Sequence, residues 1–220
     1  MKHINDIFDN LDKWRHLPAY QLERRADIFF SIYLPDLIFS KLGIIIDEVI
    51  PEFPIRIGTI NRKQNINKSF KVDYLAKEKN KNTVVFIELK TDEGSRRDKQ
   101  DQYLERAKQV GLIELLEGIR KIYLATKSKK KYQHLLDRLQ NVDLITTDNG
   151  GIFTINQADY HIEIVYIMPI NPKGLENVIT FREAAEIIKR HEDDLSLRFS
   201  KSLLRWAEVQ AGEERIATQN

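Results

Sequence analysis

Residues 71–90 constrain the fold of this chain more than any other stretch. Lys71-Val72-Asp73-Tyr74-Leu75-Ala76-Lys77-Glu78 and Thr83-Val84-Val85-Phe86-Ile87-Glu88-Leu89-Lys90 read as two strands, the second rich in β-branched residues. Between them Lys79-Asn80-Lys81-Asn82 is turn chemistry, because Asn tolerates left-handed backbone. Together they predict an antiparallel hairpin. With the turn centred between Asn80 and Lys81, facing residues have numbers summing to 161, and Asp73 stands opposite Glu88. Directly opposed side chains lie about 4.5–5.5 Å apart at Cβ, so two carboxylates meet and need a compensating cation. The strand period of two puts Lys90 on the face of Glu88. A slip of one residue would send Asp73 to the other face. A solvated strand end with mutually compensating charges is the competing reading.

The rest of the 220 residues supplies material for one full domain and an appendage. Helices are predicted at 4–15 and 19–34, the second with an apolar stripe through Ala26, Phe29, Phe30 and Tyr33. Pro35 should break or kink it, with a short helix resuming to about Lys41. Pro51 and Pro54 favour extended backbone ahead of Ile55-Arg56-Ile57. After the hairpin, Ser95 is read as the cap of a helix running to about Glu117, with Leu104, Ala107, Gly111 and Leu115 along one side. A short buried strand at Ile122–Thr126, a helix at 128–140, a strand at Ile162–Met168 and helices at 181–192 and 195–210 follow, and the last ten residues should fray. The class is α/β with a mixed central sheet flanked by helices, divided into a domain at 1–170 and a helical C-terminal extension at 171–220 packed on it.

Composition narrows the chemistry. Cysteine is absent, which removes disulfides, thiolate zinc sites and cysteine nucleophiles. The five histidines have no metal-ligand spacing, and Gly94 and Gly150-Gly151 read as turn glycines outside any Walker or Rossmann loop. No signal segment or bilayer span is visible, so a soluble cytoplasmic protein without a membrane partner is expected. Charge is uneven. Residues 1–60 hold 7 Lys/Arg against 9 Asp/Glu, residues 61–132 hold 19 against 10, and residues 133–220 hold 9 against 14. A basic middle between acidic flanks suits a surface that meets phosphate, and a solvated lysine-rich face is the plainer account.

Asp73 and Glu88 match what a hard divalent ion takes from a protein, one or two carboxylates with water and substrate phosphate completing the shell. Lys90 could orient or deprotonate the attacking water, or stabilise the phosphorane. Asp73, fourteen residues, then Glu88-Leu89-Lys90, followed by a helix, resembles the PD-(D/E)xK (restriction-endonuclease-like) nuclease superfamily. The passage Ile87-Glu88-Leu89-Lys90-Thr91-Asp92 is similar to its strand-to-loop motif. Val72 stands where the name-giving proline would be, and Gln100, Gln102 and Tyr103 lack the Gln-x-x-x-Tyr spacing of exonuclease-like branches. The resemblance implies an αβββαβ core over about residues 18–126 with helical extensions at both ends. It implies a Mg²⁺- or Mn²⁺-dependent phosphodiesterase, acting on DNA more than RNA by superfamily habit. Asp73 and Glu88 would be metal ligands, Lys90 catalytic, and an acid from the first core helix would complete the site. Glu23 is the first candidate, then Asp27, with Glu52 third.

Arg96, Arg97 and Lys99, at the start of the next helix, are candidate phosphate contacts. Lys127-Ser128-Lys129-Lys130-Lys131 reads first as a solvated helix start, and Tyr103 as core before base-stacking platform. Leu203, Leu204 and Trp206 would permit a homodimer or a protein partner through the C-terminal helices. A catalytically silent scaffold that binds nucleic acid or protein is the alternative function.

Overall fold

The computed structural model describes residues 2–61, 66–92, 96–148, 153–172 and 174–217, with side chains as far as Glu208. The fold is α/β. In chain order the elements are α1 (Lys2–Trp14), α2 (Glu23–Leu42), β1 (Ile46–Arg56), α3 (Ile57–Ile60), β2 (Ser69–Glu78), β3 (Thr83–Leu89), α4 (Asp98–Val110), α5 (Leu112–Ala125) and α6 (Lys129–Asn141). Then come β4 (Ile145–Thr147), β5 (Phe153–Ile155), β6 (His161–Met168), β7 (Val178–Thr180), α7 (Phe181–Ile188) and α8 (Asp194–Ala217). Five strands make one mixed sheet in the order β1-β2-β3-β6-β7, and β4 with β5 makes a separate pair. The chain gathers into two compact units, one of Met1–Ile45, Leu89–Arg96 and Val165–Asn220, the other of Ile46–Glu88 and Arg97–Ile164. Among the described residues no helix is long and apolar enough to cross a membrane. Gly94, Ser95 and Gly150-Gly151 lie outside the described residues, as do the side chains of the last ten.

The second unit is built on the antiparallel strands β1, β2 and β3. The β2–β3 register runs Tyr74↔Ile87, Leu75↔Phe86, Ala76↔Val85 and Lys77↔Val84, the alignment read from the turn. Asn80 takes a left-handed φ of 58°, as the turn requires. Phe53 of β1 and Phe86 of β3 meet at 5.9 Å in the core. Pro51 and Pro54 lie inside β1, and Glu52 between them has φ 54°, which interrupts the strand's regular pleat.

Two expectations fail in this unit. The helix expected to continue to Glu117 ends at Val110, because Gly111 takes φ 85° and α5 starts afresh after it. The strand expected at Ile122–Thr126 is the last turn of α5. Leu112, Leu115, Leu116, Ile119 and Ile122 are buried at helical spacing while Leu124 is exposed, so the apolar run is the end of a helical stripe. Gly118 faces α3 at very close range. A Cβ there would sit 2.6 Å from Thr59 Oγ1 and 3.2 Å from Arg56 Cβ. Gly118→Ala should cost about 1–3 kcal/mol through overpacking, read as a lower urea midpoint.

The first unit holds α1, α2, α7 and α8 with the end of β6 and β7. Tyr166↔Val178, Ile167↔Ile179 and Met168↔Thr180 pair in parallel. Pro35 does not stop α2, which runs from Glu23 to Leu42 and buries Ala26, Phe30, Tyr33, Leu34, Leu37 and Ile38. Burial of apolar side chains on both sides of the proline outweighs its one missing backbone bond. The helix also starts later than expected, at Glu23. An aromatic cluster joins the helices, with Phe8 4.7 Å from Phe29, Phe30 5.0 Å from Phe199 and Phe181 6.2 Å from Trp206. Thr180 and Glu183 form a reciprocal capping box at the start of α7.

Between α1 and α8 lies a polar knot. Asp12 accepts from Arg198 Nη2 and Arg205 Nη1, both at 2.9 Å, and from Trp206 Nε1 at 2.8 Å. Arg198 also reaches Asp9 at 2.7 Å. Leu203 and Trp206, expected as a dimer stripe, are buried in this unit's interior, so that stripe is not a free surface.

Candidate active site

The two units each carry part of the set singled out in the sequence. In the second, the β2–β3 register ends with the pair Tyr74↔Ile87, and Asp73 and Glu88 are the next residues of β2 and β3 beyond it. Asp73 is half-buried and Glu88 is only 1 % exposed. A carboxylate so far from water is costly unless something polar meets it. Gln100, in the first turn of α4, donates its side-chain amide to Glu88 Oε1. One turn on, Tyr103 lies 5.3 Å from the ring of Phe70, and Lys99 Nζ lies 5.7 Å from the Tyr103 ring centre. Tyr103 is thus half-buried against β2, neither wholly core nor an open platform.

In the first unit, Lys90 follows directly on β3 and is 4 % exposed. Its backbone N–H donates to Ile167 O at 2.8 Å, and its ammonium donates to Leu89 O at 2.9 Å. Nζ also lies 3.6 Å from Glu23 Oε2. Glu23 is the first residue of α2, where the helix dipole favours a carboxylate. Glu23, the first candidate among the N-terminal acids, is thus brought to Lys90. Asp27 accepts from Ile28 N at 2.6 Å, and Glu52 is exposed and paired with Lys71 at 2.6 Å.

Arg96 is half-buried, while Arg97 and Lys99 are exposed at the start of α4. The helix proper begins at Asp98, and Asp98 and Asp101 offset the two cations against its dipole. Lys129, from the basic run, donates to the carbonyls of Tyr123 and Leu124 at the end of α5. That lysine has a structural duty.

Gln100 is a site residue that the sequence motifs do not pick out. Its signal is present all the same: Gln100 and Tyr103 are three apart on one helix, a spacing that shares a face as well as four does.

Among the described residues no group of three or more His, Asp or Glu side chains stands together as a metal cage. Asp73 and Glu88 offer a pair of hard oxygen donors, which is within what Mg²⁺ takes from a protein. No family model matches the chain, and neither a curated protein nor a solved structure matches it.

Proposed function

We propose that this protein hydrolyses phosphodiester bonds of nucleic acid, DNA before RNA, with a divalent metal ion held by Asp73 and Glu88. The observation that carries the reading is the burial of Glu88 at the end of β3, where the β2–β3 register, read one step past its last pair Tyr74↔Ile87, would bring Asp73 across from it. Two carboxylates facing each other across a ladder repel. A cation held by the two carboxylates would offset that repulsion. Supporting it is the resemblance of Asp73 and Glu88-Leu89-Lys90 to PD-(D/E)xK nucleases. The αβββαβ order expected over residues 18–126 is met only in part, with α3 between β1 and β2 and, among the described residues, no strand between β3 and residue 126.

In this mechanism Asp73 and Glu88 fix the ion, and Gln100 fixes the orientation of Glu88. When bound, Mg²⁺ or Mn²⁺ supplies Lewis acidity toward phosphate and lowers the pKa of coordinated water. Lys90 follows Glu88 by two residues in the chain and is the motif's cation. Its ammonium, held beside Glu23, orients the attacking water or meets charge developing on the phosphoryl oxygens. Arg96, Arg97 and Lys99 bind the phosphates of the substrate strand.

The test is incubation with Mg²⁺ or Mn²⁺ and single-stranded DNA, duplex DNA or RNA. Cleavage that requires metal supports the reading. Absence of both cleavage and calorimetric Mn²⁺ binding would sink it and leave a scaffold. Gln100→Ala should weaken Mn²⁺ binding about 10- to 100-fold, since it removes the group that holds a ligand in place, while the circular dichroism spectrum stays unchanged.

A further inference from the structure

A groove of about 420 Å³ lies in the second unit between β1, the start of β2 and α6. That volume is in the range of small-ligand sites. Its apolar floor is made by Ile50, Pro51 and Pro54, with the half-buried ring of Tyr132 along one side. Lys131, His134 and Arg138 occupy successive positions i, i+3 and i+7 of α6, so they share one helix face, and all three line the groove. Lys71 closes it from β2. Three fixed cations, Lys71, Lys131 and Arg138, thus stand against one lining carboxylate, Glu52. At the rim Lys71 pairs with Glu52 and Arg138 with Glu48, surface ion pairs of the kind that hold little energy and can give way to phosphate. Lys131 also sits in the first turn of a helix that has no acid there, where the helix dipole adds to its positive field. Burial raises the pKa of the Tyr132 phenol while nearby Lys71 opposes the shift, so the ring carries no charge at neutral pH.

The geometry points to this groove as a subsite for a single strand of nucleic acid, with one base stacked on Tyr132 and the flanking phosphates on Lys131, His134, Arg138 and Lys71. The combination of a flat aromatic ring, a rigid proline floor and a basic rim is what a base with its phosphates requires. An acidic peptide is the rival occupant. Extending the sheet from β1 would need main-chain donors, and Pro51 and Pro54 have none. Lys71 and Asp73 share a face of β2 two residues apart, about 7 Å at Cα, so a strand in the groove continues directly to Asp73. The inference rests on the reading of the protein as one that acts on nucleic acid, and it adds where the strand lies.

Binding measured in EDTA separates this inference from catalysis. The probe is a fluorescein-labelled 15-mer of thymidylate, followed by anisotropy with the full-length protein. Tyr132→Leu should raise Kd about tenfold, as loss of one stacked base does, and Tyr132→Phe should bind as the native protein does. Lys131→Ala/His134→Ala, at two exposed positions that leave folding intact, should raise Kd about tenfold. It should also make the log–log salt dependence shallower by about 0.7 for each phosphate that is no longer neutralised. Lys201→Ala, an exposed lysine of α8 in the other unit, should change nothing. An abasic 15-mer should bind the native protein about tenfold more weakly and Tyr132→Leu without further loss. Native-like affinity in both groove variants overturns the inference, as does an abasic strand that binds as tightly as the thymidylate. Displacement by polyglutamate at equal charge would assign the groove to acidic peptide instead. None of these results bears on metal-dependent cleavage, which is judged separately.

Discussion

Glu88→Gln is expected to reduce metal-dependent cleavage at least about a thousand-fold while leaving the fold as stable as before. The rate loss follows from what the carboxylate does in the proposed site: glutamine keeps the shape but gives up the charge that holds the ion, and the ion supplies both the nucleophile and charge stabilisation. The stability side separates a functional acid from a structural one. Glu88 is 1 % exposed, and it and Asp73 are the next residues beyond the last pair of the ladder, Tyr74↔Ile87. Neutralising it relieves a like-charge rung and removes a buried anion, and the carbonyl of the new side chain can still accept from Gln100. The thermal midpoint in metal-free buffer should therefore be equal or higher, a trade of stability for function common at active sites. Mn²⁺ titration calorimetry should show binding in the native protein and none in the variant. Cleavage at the native rate by Glu88→Gln would remove the site.

The second large effect is on stability. Asp12→Ala should cost about 3 kcal/mol, the usual penalty for removing one partner of a buried ion pair. Asp12 side-chain exposure is 11 % and that of Arg198 is 10 %, so the guanidinium cannot turn fully to water and is left with the half-exposed Asp9 as its remaining carboxylate. The Trp206 N–H loses its acceptor too. Burial alone would raise the pKa of Asp12, but hydrogen bonds from Arg198, Ser202 and Trp206 outweigh it and hold the carboxyl below its ordinary 3.8. A depressed folded-state value sets the sign. The stabilisation is complete above the unfolded pKa near 4 and is lost as pH falls through the lower folded value. Urea midpoints measured from pH 7 to pH 3 should fall in the native protein over the acid end of that range. They should fall less in Asp12→Ala, whose deficit narrows as pH drops. A constant deficit at every pH would mean that lost packing, not the charge, accounts for the penalty.

The parts of this fold that are legible in the sequence are the local ones. The hairpin register follows from a four-residue turn with Asn80, since turn geometry alone sets which residues face each other. Glu23 beside Lys90 is a matter of choosing the first acid of the right helix. Illegible are the features decided by partners distant in sequence. Ile122 and its neighbours are apolar enough for a strand, and only their packing against the rest of the second unit makes them the end of α5. Trp206 and Leu203 form an amphipathic stripe that says "buried" without saying against what; the answer is α1 and the aromatic cluster, remote by almost the whole chain. Gln100 escapes a motif with a spacing of four, where three serves equally.

One consequence of the sheet order concerns the newborn chain. Asn82 accepts a hydrogen bond from His161, so β3 finds its second neighbour about 80 residues later, after α4, α5 and α6. At synthesis rates of about 5–20 residues per second, β3 waits roughly 4–16 s for β6. During that interval its run Thr83-Val84-Val85-Phe86-Ile87 is paired on one side only. A hairpin that forms early by its own turn, and then stays open along its most apolar strand, makes translation speed between codons 90 and 160 a determinant of how much chain reaches the native state.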